Sequence, residues 1–253
     1  MNNRIVVENC GWHPCSGGIR VMNYLAALIH SIGHPVAVTS PCFYNPLIPV
    51  VGTCEPDDIV VYPEIVSGNP KGGSKVVRYL LYFPIFRYTD PRDCPVVYMP
   101  AFMESCRAAF DGPIGDDDIV ELPNINYGEW LFPEPKTIEA ILFTGKRNCK
   151  ELPDIPGIVD IRGEGDLWFQ RQRTISLLRR ASRLYTMDHY TVLEGEADLC
   201  GCQVFRVHGP KDFRRIYPNA QQRIMRPGQD GMYARKFLDI VERFFRAEMD
   251  GGK

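Results

Sequence analysis

Asp188 and Glu196 are the two carboxylates in this chain whose setting could do chemistry. They lie eight positions apart in the stretch LYTMDHYTVLEGEADLCGCQV, residues 184–204. The apolar run from Val192 to Leu199 is interrupted by Gly195 and stops before Gly201. That pattern predicts a helix starting near Thr191 with Glu196 inside it, ended by Gly201 and followed by a strand from Val204 to Val207. Asp188 then falls in the loop before the helix, where free backbone N–H groups and the positive dipole end favour phosphate or other anions. A helix N-terminus flanked by two carboxylates suits a ligand that is both phosphorylated and rich in hydroxyls. Phosphate meets the N–H donors, and hydroxyls meet the carboxylate acceptors.

The elements that must position these groups are α/β in pattern. Arg4 to Glu8 reads as a buried strand, Ile19 to Gly33 as a helix with apolar positions at Val21, Leu25, Leu28 and Ile32, and Pro35 to Thr39 as a second strand. This is a βαβ unit of an open α/β sheet, with the pair Gly17-Gly18 at the helix entrance. The dinucleotide fingerprint GxGxxG is absent, so the pair serves either a phosphate or a turn that needs positive φ. Further strands are expected at Asp58 to Tyr62, Val96 to Met99 and Ile119 to Leu122, and a short helix at Ser74 to Tyr82. The segment LPNINYGEWLFPEP has the composition of a linker. A second lobe opens with the strand Ala140 to Thr144, which runs into Gly145-Lys146-Arg147. Basic residues there lie on the ligand-facing edge of an α/β sheet. Ile158 to Arg162 is expected as a strand and Arg171 to Ser182 as a helix. Met232 to Met249 closes the chain as an amphipathic helix, with Phe237, Ile240, Val241, Phe244 and Phe245 on one side.

The segment 188–204 resembles the donor-site motif of retaining GT-B glycosyltransferases such as glycosyltransferase family 4. That motif is an acid, seven spacers, Glu-Ala, a small residue, Gly and usually Pro-Val. Asp188, Glu196, Ala197, Gly201 and Val204 are in register; Asp replaces the usual Glu at 188, and Gln203 stands where Pro is usual. VVYPEIVSGNP followed by KVVRYLLYFP also resembles a recurring segment of some bacterial glycosyltransferases. The resemblance implies two Rossmann-like lobes with a cleft between them and a C-terminal crossing helix. The divisions are 1–133 for the acceptor-side lobe, 134–230 for the donor lobe and 231–253 for a helix packing back on the first lobe. It implies transfer of a hexosyl-type sugar from a UDP- or GDP-sugar to an acceptor hydroxyl, with retention and without a metal or cofactor. Glu196 and Thr191 would serve the nucleotide side, Glu196 holding the ribose. Asp188 would face the transferred sugar, Lys146 and Arg147 would hold the diphosphate, and the Gly17-Gly18 loop would approach the donor phosphates. Glu64, His13 and Arg20 are the acceptor-side candidates. The expected acceptor is a glycan or surface-polysaccharide precursor, with hydroxymethylated DNA as the second class. A non-catalytic nucleotide-sugar-binding protein and a GT-B-like epimerase are the alternatives.

Composition narrows the field. The chain has 253 residues, 45% hydrophobic and 24% charged, as in ordinary globular proteins. It contains no apolar run long enough for a membrane span and no signal-peptide pattern at MNNRIVVENCGW. Nine cysteines without framework spacing read as reduced thiols of a cytoplasmic protein. Cys200-x-Cys202 and Cys10-x4-Cys15 lack the partners of a zinc site. Up to Ala140 there are 9 basic and 16 acidic residues, against 20 and 15 afterwards. The positive second half fits a diphosphate, whereas the negative first half opposes a polyanion. Asp116-Asp117-Asp118 lies far from the donor motif and reads as a solvated run.

Overall fold

The computed structural model describes residues 3–13, 16–125, 131–145, 153–161, 167–218, 220, 224 and 230–251. The chain divides into two compact units, Met1–Leu122 with Arg226–Lys253, and Pro123–Met225. Each is an α/β unit built on its own five-stranded sheet.

In the first unit β1 (Ile5–Val7), β2 (Val36–Val38), β3 (Ile59–Pro63), β4 (Lys75–Leu80) and β5 (Asp93–Val97) form an all-parallel sheet in the order β2-β1-β3-β4-β5. These strands are covered on both faces, so they read as continuous apolar runs rather than alternating ones. That is why KVVRYL is β4 and not the helix expected over Ser74 to Tyr82: its β-branched and aromatic residues are nearly all buried within the sheet. Ile119 to Leu122 contributes only a bridge from Ile119 to Val97 rather than a strand. Helix α1 (Gly17–Ser31) is capped by Ser16, whose side chain accepts from Ile19 N. Helix α2 (Met103–Ala109) is short. The C-terminal helix, Asp230–Gly251, is α5, the fifth α-helix in chain order. It packs on α1 and β5 and buries Phe237, Val241 and Phe245.

The β3–β4 crossover carries no helix, so a buried cation shapes it instead. Arg78, 2% exposed, donates Nε to Asp93 at 2.8 Å, and its other nitrogens donate to the carbonyls of Val66 and Gly68. Burial pushes the Asp93 carboxyl up against the lowering pull of Arg78.

The second unit contains β6 (Ile138–Phe143), β7 (Val159–Asp160), α3 (Leu167–Arg180), β8 (Ala181–Thr186), α4 (Val192–Leu199), β9 (Gln203–Gly209) and β10 (Asp212–Ile216). Sheet order is β10-β9-β8-β6-β7, parallel except for the β9–β10 hairpin. Helices α3 and α4 cover one face through Leu177, Leu178, Leu193 and Ala197 against Ile141, Leu184 and Val204. Among the described residues no helix is long and apolar enough to cross a membrane.

Asp93→Ala leaves the Arg78 guanidinium buried without its carboxylate, beside the carbonyls of Val66 and Gly68 and the rings of Tyr62 and Tyr88. It should cost about 3–5 kcal/mol in urea denaturation, the usual penalty for removing one member of a buried pair. An unchanged midpoint would show that the crossover does not depend on this contact.

Candidate functional site

The carboxyl ends of β6 and β8 lie side by side, because Phe143 pairs with Thr186 and Met187 N donates to Phe143 O. Open α/β sheets bind ligands at this edge. Thr144 and Gly145 follow β6, and Met187 and Asp188 follow β8. The Thr186 hydroxyl closes the turn, donating to Asp188 O at 3.0 Å and accepting from Asp188 N at 3.1 Å. Gly145 has φ +63, and a Cβ at this position would overlap Asp188, lying 2.9 Å from Oδ2. Only glycine lets the two loops meet this closely.

Two polar atoms here are enclosed and have no partner: Asp188 Oδ1 and Thr144 Oγ1, the latter on a side chain only 2% exposed. A buried acceptor and a buried hydroxyl without a hydrogen bond are costly, and such groups call for a functional explanation. Three residues beyond Asp188, Thr191 caps α4 by accepting from Leu193 N at 3.3 Å. The loop therefore brings Asp188 and the capped N-terminus of α4 together.

Helix α4 is held by two ion pairs that point in opposite directions. Glu196, fully buried, receives Arg171 Nη1 and Nη2 from α3, each at 2.7 Å. Glu194, two residues earlier, receives Arg206 Nε and Nη2 from β9 at 2.8 and 2.9 Å. The Glu194 carboxylate raises the Arg206 guanidinium above its usual range. The Arg206 guanidinium also lies 5.6 Å from the centre of the Tyr190 ring, and the His189 and His208 rings are 4.6 Å apart. The C-terminus of α4 is closed by Gly201 in the left-handed region and by Cys202 N donating to Ala197 O. Lys136 Nζ adds a bond to Cys200 O at 2.6 Å.

Asp188, Thr191 and Glu196 thus sit on one loop–helix segment, but they face different surroundings. Both Glu196 oxygens are engaged by Arg171, and the side chain is sealed from solvent. Lys146 and Arg147 lie outside the described residues. In the first unit Gly17 and Gly18 open α1 with helical backbone, and among the described residues of the preceding loop Cys10 and Gly11 are left-handed instead. The Glu64 carboxylate accepts from Leu81 N, and its carbonyl accepts from Tyr88 Oη. His13 O accepts from Ser16 N, and Arg20 is buried in the first turn of α1.

Seven described cysteines are free thiols; burial pushes Cys200 up to about 12 and Cys202 to about 11. No group of three or more metal-ligating side chains occurs among the described residues. Asp116 and Asp118 pair with Arg107 and Arg243.

Thr144, Gly145, Arg171 and Arg206 escaped the reading of the sequence. A buried glutamate inside an apolar helix requires a cation, which is the one signal that could have pointed to Arg171 among the arginines of α3. The fold and site define a protein of two Rossmann-like α/β units with a polar sheet edge in the second. The sequence matches no family model, and none of the curated proteins matches it.

Glu196→Ala should lower stability by about 3–5 kcal/mol, whereas the double change Arg171→Met/Glu196→Leu should recover most of that loss, because no charge is then left buried alone. Equal urea midpoints for wild type and Glu196→Ala would remove the ion pair from this account.

Proposed function

We propose that the second unit binds a nucleotide diphosphate sugar and that the protein is a GT-B-type glycosyltransferase, moving the sugar to an acceptor hydroxyl. One observation carries the reading: the unpartnered Asp188 Oδ1 and Thr144 Oγ1 at the carboxyl ends of β6 and β8, next to the N-terminus of α4. In this reading the α4 N-terminal amides receive the diphosphate. Lys146 and Arg147, next in the chain after Gly145, add positive charge to it. The Asp188 carboxylate faces the transferring sugar and stabilises the positive charge that develops there. Thr144 offers a hydroxyl to the same ligand. Glu196 acts by anchoring α4 through Arg171, so ribose recognition falls to other groups. Charge on the leaving diphosphate is offset by fixed dipoles and cations, and the chemistry runs without a metal. The acceptor belongs to the first unit, with Glu64, His13 and Arg20 as its polar candidates. A glycan fits the acidic character of that unit better than nucleic acid does.

A second reading, a nucleotide-sugar-binding protein without turnover, is favoured by the sealing of Glu196 against Arg171. Turnover separates the two, because a binder takes up the nucleotide and releases no product.

Saturating UDP or GDP should stabilise the protein by RT ln(1 + [L]/Kd), about 2.7 kcal/mol at a hundredfold excess over Kd. In a chain of this size that corresponds to a rise in Tm of roughly 5–10 °C. No shift with any nucleotide or nucleotide sugar would sink the donor-site reading.

Asp188→Asn should reduce kcat on the order of a hundredfold while UDP or GDP affinity changes little, since the contact strengthens only as the sugar becomes cationic. A matching loss of nucleotide affinity would move Asp188 to the phosphate end of the site. Activity should also persist in EDTA; loss that Mg²⁺ or Mn²⁺ restores would reject the metal-independent mechanism.

A further inference from the structure

The first unit has its own ligand edge. In the all-parallel order β2-β1-β3-β4-β5 successive strands are added on one side of β1 and then, from β3, on the other, and ligands of such sheets bind outside the carboxyl ends of the strands at that switch point. The loop after β1 contains two consecutive left-handed residues, Cys10 at φ +53 and Gly11 at φ +73. Trp12 follows them. Its ring stacks on Phe43, in the loop after β2, with centroids 3.9 Å apart and planes 7° from parallel. Tyr44 meets both rings edge-on. Phe43 remains 43% exposed, an aromatic surface at the rim of the sheet.

This platform is rigid. Asn9 and Asn23, both fully buried, tie the two loops together. Asn9 Nδ2 donates to Asn23 Oδ1 at 3.1 Å and to Ser40 O at 2.8 Å, and Asn9 Oδ1 accepts from Ser40 N at 2.9 Å. Phe43 N donates to Asn23 Oδ1 at 3.1 Å. A stacked pair whose loops are already ordered loses little conformational freedom when a ligand lies on it.

The polar groups at this edge include two carboxylates. Glu8 accepts from the Thr39 hydroxyl at 2.6 Å and pairs with Lys71 at 3.6 Å; Glu64 stands at the end of β3. Both carboxylates act on the Cys10 thiol, which burial first and then these charges push up to about 11. Carboxylates accept from hydroxyls and repel phosphate. An aromatic face with acceptors at its border therefore selects a neutral ring with an apolar C–H face and hydroxyls around its edge.

We propose that Trp12 and Phe43 form the platform of a carbohydrate-binding site at the carboxyl edge of the first unit, where a pyranose lies against the rings with its hydroxyls turned toward Glu8, whose carboxylate is held between the two loops by Cys10 N and the Thr39 hydroxyl. The site stands whether or not the second unit binds a nucleotide.

Saturation-transfer NMR on the full chain without nucleotide tests it, with the methyl glycosides of glucose, galactose, mannose and N-acetylglucosamine as probes and UMP as the anionic ring control. At least one glycoside should show saturation of its ring C–H protons, UMP should show none that depends on Phe43, and Phe43→Ala should weaken the glycoside signal at least fivefold while the protein still unfolds in one cooperative transition above the temperature of the measurement. Phe43→Leu, which keeps apolar bulk without a ring, should be as weak as Phe43→Ala. Three results would overturn the proposal: no signal from any glycoside, equal signals in wild type and Phe43→Ala, or Phe43-dependent saturation of UMP that exceeds every glycoside. A glycoside signal combined with no response to UDP or GDP would support this site while removing the donor site of the second unit.

Discussion

Helix α4 is set in place by two carboxylate–guanidinium pairs, and the geometry of the second unit depends on them. Residues two apart on a helix point about 200° from each other, as follows from 3.6 residues per turn. Glu194 and Glu196 therefore reach in opposite directions, one to Arg206 of β9 and the other to Arg171 of α3. A helix of eight residues is marginal by its own hydrogen bonds and takes its stability from tertiary contacts. Two bidentate pairs fix its rotation and its height above the sheet at once. That places Thr191 and the helix N-terminus at the carboxyl edge, three residues from Asp188. The arrangement also neutralises Glu194, whose charge in the first turn would otherwise repel an anion arriving at the same end.

Much of this was legible in the residues, and the exceptions share a cause. Helix α4 was read with its start at Thr191 and its end at Gly201 because cap chemistry is local. Helices α1 and α5 were read because their apolar faces recur at helical spacing. Strand β4 lies where the sequence suggests a helix, because KVVRYL, buried on both faces of a parallel sheet, has no alternation to mark it as a strand. Strand β10 has no counterpart in the sequence reading, because Arg214 and Arg215 are exposed at the sheet edge and leave no apolar alternation to mark it. In the site, Asp188 and Thr191 were legible from the loop–helix pattern. The closeness of Gly145 to Asp188 and the pairing of Arg171 with Glu196 were not, since both join residues more than twenty positions apart through tertiary packing.

The two units use the same edge of their sheets for different chemistry. In the second unit an unpartnered carboxylate oxygen and hydroxyl lie beside a helix N-terminus, a setting for a phosphorylated polyol. In the first unit the edge carries a stacked aromatic pair and carboxylates, a setting for a neutral ring. Charge differs between the units in the same sense, with 14 basic and 18 acidic residues in the first against 15 and 13 in the second. A transferase that joins a nucleotide sugar to a glycan needs both settings, and that pairing is what recommends the glycosyltransferase proposal over nucleotide binding alone.

The most direct measurement is a crystal structure of the protein soaked with UDP or GDP and, in a second crystal, with a nucleotide sugar. The account predicts phosphate oxygens within hydrogen-bond distance of the backbone nitrogens at the start of α4, and a sugar hydroxyl or ring oxygen on Asp188 Oδ1 and Thr144 Oγ1. Nucleotide bound elsewhere in the chain, or these two atoms satisfied by ordered water alone with nucleotide present, would contradict it.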